Sequence, residues 1–461
     1  MSKTCAVILA AGEGKRMKSD YSKVLSKVLF KPMIDWVAQA VIESGTQDIC
    51  VITGHTSELV RKHMGDGFCF AEQTERLGTG HAVMQAADFI KNSGAENVLV
   101  VNGDAPLMDE MTIEDSLEQH IATGSAVTIV SACIKRPIGY GRIVRDIHGN
   151  VLKIVEQRDA TDDEKEIHEV NSGAYWFKSK ELLFALSHLK ADNDQSEYYL
   201  TDTIEILMGI GEKISAFITE NTSVILGAND KMQLMELNEI ARHEILRMLM
   251  FDGVDIPCTD GVIIGDEVSV GRGTTILPNT IIRGNSSIGC DCELGPNCLI
   301  DDSEIKDNVK IANVQIENSV VENCADIGPY AHIRPNSHIG ESVHIGNFVE
   351  VKNSNIGKGT KLPHLTYIGD SDIGEKVNFG CGSLTVNYNG KDKARTVVND
   401  HAFIGCNTNL IAPVTVGEYA YTAAGSTITS DVPAFALSIA RSIQTNKEDW
   451  VKSRKPFKNM E

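Results

Sequence analysis

Residues 264–300 read IGDEVSVGRGTTILPNTIIRGNSSIGCDCELGPNCLI. Branched apolar residues recur every six positions, at Ile264, Val270, Ile276, Ile282, Ile288, Leu294 and Ile300. The small residues Thr274, Thr280, Ser286, Cys292 and Cys298 stand four beyond the apolar residue before each. An α-helix repeats every 3.6 residues and tolerates this density of glycine poorly. A unit of six supplies one short strand and one turn, so three units make a triangular rung and each residue stacks on the one eighteen further on. The inward aliphatics then form a continuous column. No rung buries its apolar face alone, which makes the array cooperative and dependent on capped ends. The pattern predicts a left-handed parallel β-helix from about Ile264 to Ile428.

Outward from this stretch steps shortened to five enter the run Ile305, Ile311, Ile316 and Val321, all but the step to Ile311, and the period returns to six at Ile327, Ile333, Ile339, Ile345 and Val351. A last run covers Ile404, Leu410, Val416, Thr422 and Ile428. Between Phe379 and Ile404 the sequence SLTVNYNGKDKAR leaves the period and reads as a loop over residues 380–396 projecting from the coil. Loops that leave a rigid scaffold are where function concentrates. His332, His338 and His344 are six apart, hence on different sides of a three-sided coil, and read as separate surface histidines rather than a metal site. Cys290, Cys292 and Cys298 fall on repeat positions and read as packing.

The other half alternates strand and helix patterns. Residues 5–11, CAVILAA, form an unbroken apolar run of the kind expected for a buried parallel strand. Asp48–Gly54, Val98–Asn102, Ala126–Ala132 and Ala174–Phe177 read as further strands, so an α/β, Rossmann-like sheet is expected with ligands at the carboxyl ends of its strands. Gly12 and Gly14 follow the first strand, and glycine lets backbone N–H groups approach an anion closely. Neither the dinucleotide fingerprint nor the Walker pattern is present, but Arg16 and Lys23 lie close by, a pair suited to a triphosphate. A plain glycine turn with surface charges is the alternative. Asn102-Gly103-Asp104 directly follows an apolar strand, where a carboxylate is well placed for Mg²⁺ and a simple turn is the other reading.

The whole chain has 461 residues, too many for one ordinary core. Its boundaries are expected at 1–228 for the α/β domain, 229–250 for a linker helix, 251–440 for the β-helix and 441–461 for a tail. Met232, Met235, Met248 and Met250, with Leu234, Leu237 and Leu246, read as packing residues of the linker helix. The tail is locally basic through Lys447, Lys452, Arg454, Lys455 and Lys458, either a phosphate contact or a solvated end. Over the whole chain 43 basic residues face 63 acidic ones, a net charge of −20 that argues against nucleic acid as a partner. No apolar stretch approaches the roughly 20 residues needed to cross a membrane, and the N-terminal apolar run lacks a cleavage site. Eleven cysteines without a C-x-x-C pair fit reduced, mostly buried thiols of a cytoplasmic protein without structural zinc.

Taken together, LAAGEGKRM at 9–17, Lys23-Val24-Leu25, Gln73 with Leu77-Gly78-Thr79-Gly80-His81-Ala82, Gly103-Asp104, Gly139-Tyr140-Gly141-Arg142-Ile143 and Asn171-Ser172-Gly173 resemble the bacterial sugar-nucleotide pyrophosphorylases. With the β-helix appended, residues 3 to about 455 resemble the bifunctional N-acetylglucosamine-1-phosphate uridylyltransferase and glucosamine-1-phosphate N-acetyltransferase family. The resemblance implies a nucleotidyltransferase domain in which Leu9, Ala10, Ala11 and Gly12 hold UTP through backbone groups, with Arg16 and Lys23 on its phosphates. It implies that Gln73, Gly78 and Thr79 read uracil, that Asp104 and Asn229 ligate Mg²⁺, and that Gly141, Glu156 and Asn171 hold the N-acetylglucosamine moiety. In the β-helix it implies His364 as the general base of acetyl transfer from acetyl-CoA, although a lone histidine could be structural. Arg334, Lys352, Tyr367 and Asn378 match the family's glucosamine-1-phosphate contacts, and Cys381, Asn387, Tyr388, Cys406, Ala424 and Arg441 its acetyl-CoA positions.

The family's acetyltransferase sites form between chains of a homotrimer, and its product serves cell-envelope precursors. The chain departs from the family's usual residues with Cys381 and Cys406 at two coenzyme positions, Phe30 before Lys31-Pro32-Met33, and Ser22 in place of proline before Lys23. Two other readings compete with the bifunctional enzyme: a single-activity pyrophosphorylase whose β-helix only oligomerises or regulates, and a non-catalytic assembly protein. His364, the Asn387-Tyr388 loop and Arg441 speak against the first; Arg16, Lys23, Asp104 and Asn229 speak against the second.

Overall fold

A computed structural model describes residues 3–12, 14–18, 22–54, 57–192 and 196–454. The chain divides into two compact units, residues 1–244 and 245–461, and the dividing line falls inside a helix, Lys231–Phe251.

The first unit is built on one mixed sheet. Thr4–Ala10 lies in its middle, parallel to Asp48–Thr53 on one side and to Asn97–Asn102 on the other, and Cys69–Glu72 extends the parallel part. The unbroken apolar run is explained by burial on both faces: Cys5 and Val7 point into one core, Ala6 and Ile8 into the other, and all four are fully buried. Glu169–Lys178 then runs antiparallel between Asn97–Asn102 and Val127–Cys133, with Ile214–Thr219 on the outer edge. Antiparallel insertion needs no crossover helix, so strand–helix alternation does not reveal it. A hairpin of Arg142–Arg145 and Val151–Val155 branches off Glu169–Lys178.

The second unit is the left-handed parallel β-helix. Its short strands form three parallel sheets of ten, nine and ten strands among the described residues. Ile264 pairs with Ile282 and Ile282 with Ile300, eighteen residues on each time. Through the shortened steps the coil closes in fewer residues, as in Ile300 on Ile316, without moving any aliphatic out of its column. Between Val351 and Ile404 the same inward column continues through Ile356, Leu362, Ile368, Ile373 and Phe379, all buried, positions the six-residue count passed over. Val270, in the first strand of its sheet, is only half-buried.

The small residues at the corners do more than fill space. A buried hydroxyl in one rung accepts the backbone N–H of the residue above it and donates to a carbonyl of its own rung. Ser303 N–H bonds Ser286 Oγ at 3.1 Å, Ser319 N–H bonds Ser303 Oγ at 3.2 Å, and Ser337 N–H bonds Ser319 Oγ at 3.3 Å. Ser303 Oγ in turn donates to the Asp301 carbonyl at 2.7 Å. Each turn leaves a backbone donor off the ladder, and burial without an acceptor would be costly.

Several expectations are corrected. The excursion is shorter than residues 380–396: Leu384–Val386 and Thr396–Val398 are strands of the coil, and residues 387–395 alone lie between them. Thr385 occupies the inward slot there, 1% exposed, and a threonine in place of an aliphatic hides the repeat. The thiols are not mostly buried: Cys5, Cys50, Cys292 and Cys298 are, whereas Cys69, Cys133, Cys290, Cys324 and Cys406 are exposed. Cys290 therefore does not pack, because it sits on the outer side of a corner. In the helix Lys231–Phe251 the buried stripe is Leu237, Ala241, Ile245 and Leu246, and the four methionines fall off it and are exposed. His332, His338 and His344 lie on three different sheets, facing Glu317, Glu322 and Asp326 respectively.

Ser303→Ala removes the acceptor of a buried N–H and should destabilise the β-helix by about 1–3 kcal/mol, read from its chemical denaturation midpoint by circular dichroism.

Candidate active sites

In the first unit the carboxyl ends of the parallel strands open onto two adjoining cavities that share Asn102 and Asp104. One, of about 270 Å³, is lined by Leu9, Ala11, Gly12, Lys23, Gln73, Gly78 and Thr79. The other, of about 420 Å³, is lined by Arg16, Tyr140, Gly141, Glu156, Asn171 and Asn229. The structure thus gathers residues from distant parts of the chain around the Asn102-Gly103-Asp104 turn.

Lys23 begins a short 3-10 turn, Lys23–Leu25, preceded by Ser22 at φ −55°, an angle that proline also adopts. The Lys23 ammonium is buried and donates to the Asp104 carboxylate and, at 2.7 Å, to Asn229 Oδ1. The backbone N–H of Asn229 is itself anchored on Gln233 Oε1 at 2.7 Å. Two hard oxygen donors from separate segments therefore converge on one cation. Mg²⁺ needs one or two protein oxygens of this kind and takes its other ligands from phosphates and water, so the donor set fits it.

In the first cavity Gln73 is buried, and its amide N–H group donates to the Gly78 carbonyl at 3.0 Å and meets His81 Nδ1 at 3.1 Å. This leaves the Gln73 carbonyl oxygen as the polar atom toward the opening. Gly78 stands at φ +101°, and a Cβ there would lie 2.5 Å from the Tyr198 carbonyl, so only glycine lets the two segments close.

In the second cavity the strand Glu169–Lys178 breaks register between Asn171 and Tyr175. That bulge turns Asn171 toward the opening, with its Nδ2 bonded to Tyr175 Oη at 2.6 Å and its Oδ1 accepting from the Gly173 N–H at 3.0 Å. Burial, with Asp159 and Asp202 nearby, raises the pKa of Glu156. Asp202 was not singled out in the sequence. Burial, then Glu205 and Asp159, push its carboxyl up to about 6.

In the second unit Asn347 and His364 are in register, and continuing the ladder sets Cys381, Cys406 and Ala424 one above another along the same corner. The Asn407 N–H bonds the Cys381 carbonyl and the Gly425 N–H bonds the Cys406 carbonyl, both at 2.8 Å, which fixes the stacking. A Cβ on Gly425 would have Arg441 Cδ as its neighbour at 3.8 Å, so Arg441 ends the column. His364, Cys406, Ala424 and Arg441 are exposed and Cys381 is half-buried. Asn378 lies on one of the two faces that meet at this corner; Arg334, Lys352 and Tyr367 lie on the other.

On that second face Arg334 pairs with Glu350 at 2.7 Å, and Lys352 is in register with Gly369. The Tyr367 hydroxyl folds over Gly369: a Cβ there would fall 2.3 Å from that oxygen and displace it. The excursion is tied down at both ends. Asn387 donates to Asp370, which also accepts from Asn353 at 2.5 Å, and Arg395 forks onto Asp372 at 2.7 and 2.9 Å. This fastening delivers Lys393, a residue the sequence did not single out, against Lys352. The adjacent Lys393 ammonium and then burial lower the Lys352 pKa, and Asp370 opposes them. Tyr388 is exposed and bonds the Gly390 carbonyl at 2.7 Å. Of the basic tail, Lys452 and Arg454 are exposed, and Lys455 and Lys458 lie outside the described residues.

Asp202 supplies a pH test. Its folded-state pKa of about 6 exceeds the ordinary value of 3.8, so its stabilising contribution is complete below pH 3.8 and is lost as pH rises through 6. Asp202→Asn should therefore raise the melting temperature above pH 6 and change it little below pH 4, measured by thermal denaturation across that range.

Comparisons with known proteins follow the same division. The Nucleotidyl transferase family matches residues 5–224. "Bifunctional protein GlmU" of Thermoanaerobacter pseudethanolicus is 49% identical over 448 residues, covering 97% of this chain and 97% of that protein. The protein of the same name from Caldanaerobacter subterraneus subsp. tengcongensis is 49% identical, over 98% of this chain and 99% of that protein. That of a Geobacillus species is 50% identical over 98% of both. With half its residues shared over the length of both chains, this chain belongs to the family of the bifunctional protein GlmU.

Proposed function

We propose that the two clusters divide the family's two activities. The β-helix acetylates glucosamine-1-phosphate with acetyl-CoA. The α/β unit transfers UMP from UTP to the N-acetylglucosamine-1-phosphate so formed, giving UDP-N-acetylglucosamine and pyrophosphate for cell-envelope precursors. The observation that carries the assignment is the convergence of Lys23, Asp104 and Asn229 at the carboxyl ends of the parallel strands.

In uridylyl transfer the sugar-phosphate oxygen attacks the α-phosphorus of UTP in line, and no protein nucleophile is required. Leu9, Ala10, Ala11 and Gly12 offer backbone groups to the nucleotide, and the Gln73 carbonyl oxygen is a ready acceptor for the uracil N3–H, beside Gly78 and Thr79. Asp104 and Asn229 would hold Mg²⁺, and the ion would supply positive charge against the phosphates. Arg16 and Lys23 add positive charge on the same side. Gly141, Glu156 and Asn171 bind the sugar, the buried Glu156 and the bulge at Asn171 fitting hydroxyl and amide groups.

In acetyl transfer His364 takes the proton from the glucosamine nitrogen as it attacks the thioester carbonyl, and coenzyme A leaves as the thiol. His364 has no side-chain hydrogen bond among the described residues, so a ring nitrogen is open to that proton. Arg334, Lys352 and Lys393 carry three cationic groups for the sugar phosphate, with Tyr367 and Asn378 as neutral donors. The corner column of Cys381, Cys406, Ala424 and Arg441 offers an extended track for acetyl-CoA, with Asn387 and Tyr388 at the root of the excursion. A homotrimer is favoured by Tyr330, Phe348 and Leu365, bulky residues held at positive φ and about 58–59% exposed at the same corner. No helix among the described residues is long and apolar enough to cross a membrane. Small-molecule substrates and a cytoplasmic setting, without nucleic acid or membrane partners, complete the reading.

Asp104→Ala should abolish pyrophosphate release from UTP and leave coenzyme A release intact, and His364→Ala should do the reverse. Loss of both activities in either folded variant would reject the two-site assignment. Thiol alkylation at Cys381 and Cys406 should inhibit acetyl transfer, with acetyl-CoA protecting; full modification by mass spectrometry with activity retained would remove both residues from the coenzyme track.

A further inference from the structure

The Lys23 ammonium is held where a metal ion would be expected. It is buried, it donates to the Asp104 carboxylate, and it donates to Asn229 Oδ1 at 2.7 Å. These are the oxygens assigned above to the divalent cation. We infer that Lys23 is a place-holder cation: without nucleotide it occupies the Asp104 and Asn229 oxygens and excludes the metal, and it yields them when phosphate draws its ammonium away. This rests on the reading of Asp104 and Asn229 as metal-holding oxygens.

Charge is the first reason. A carboxylate and an amide oxygen cannot serve an ammonium and a divalent ion through the same lone pairs, and two cations within about 4 Å of each other repel strongly where solvent is scarce. Reach is the second. Lysine carries a compact charge on a flexible stem, so its end can change partner without moving the backbone. The structure restricts the motion to that end. Gly14, at φ +60°, packs against the root of the side chain so closely that a Cβ would lie 2.7 Å from Lys23 Cβ and 3.3 Å from its Cγ. Leu9 and Gly12 line the same cavity as Lys23, within the span of its side chain's outer end.

The third reason is connectivity. Lys23 joins three segments: its own turn, the Asn102-Gly103-Asp104 turn and the segment leading into the helix Lys231–Phe251. Release of Lys23 is thereby coupled to filling of the site. Metal then arrives with the triphosphate that accepts Lys23, and free metal alone competes poorly.

Binding of Mn²⁺ to the full chain without nucleotide, followed by electron paramagnetic resonance of the free ion, tests this. Lys23→Met should bind Mn²⁺ about tenfold or more tighter than the unaltered chain, whereas Lys23→Arg, which keeps a cation, should not. Equal or weaker binding by Lys23→Met, or equal tightening by Lys23→Arg, overturns the place-holder role. Adding Asp104→Asn to Lys23→Met should abolish the gain; a gain that survives puts the ion elsewhere and overturns the metal-ligand reading itself. Lys23→Gln replaces Lys23→Met in the comparison if near-ultraviolet circular dichroism shows the methionine variant misfolded.

Discussion

Stacking of like on like is the interaction from which the second unit follows. A coil whose rungs repeat in register lets every strand pair with the rung below and the rung above, and it leaves each corner one backbone donor short. The buried serine and threonine hydroxyls supply that missing acceptor, as Ser286, Ser303 and Ser319 do in succession. Because this contact relates rung to rung and not residue to residue along the chain, the coil tolerates rungs of different length. Ile264 to Ile282, Ile300 to Ile316 and Ile373 to Val398 are all in-register neighbours.

A scaffold this regular presents function where regularity is interrupted. The insertion at residues 387–395 is tied at Asp370 and Asp372, and the same fastening brings Lys393 against Lys352. Two like charges pressed together form an arrangement that an anion relieves. In the α/β unit the interruption is the bulge in Glu169–Lys178, which turns Asn171 into the cavity and lets Gly173 close on Asn102.

Legibility in the sequence followed the range of the physical signal. The six-residue repeat was visible because inward packing and the corner turns recur at fixed spacing, and it was lost where Thr385 took an aliphatic's slot. The first strand was visible as an unbroken apolar run because both its faces are covered. The strand at Ala174–Phe177 was visible too, but its antiparallel insertion between two parallel strands was not, since strand order leaves no local mark. Exposure of thiols and methionines was misjudged for the same reason: composition says what a residue prefers, and the position of a corner or a helix stripe decides what it receives.

The sequence by itself determined the β-helix, the glycine turn after the first strand and the family resemblance, because each rests on residues close together or regularly spaced. Tertiary structure alone decided that His364, Cys381, Cys406 and Ala424 share one corner, that Lys393 meets Lys352, and that Asp202 comes near enough to Glu156 to raise its pKa. It also decided that Lys23, Asp104 and Asn229 converge, a meeting of residues 81 and 206 positions apart. Polar groups so far apart in the chain impose no pattern on it, and only the closing of the fold brings Asp104 and Asn229 within a hydrogen bond of Lys23.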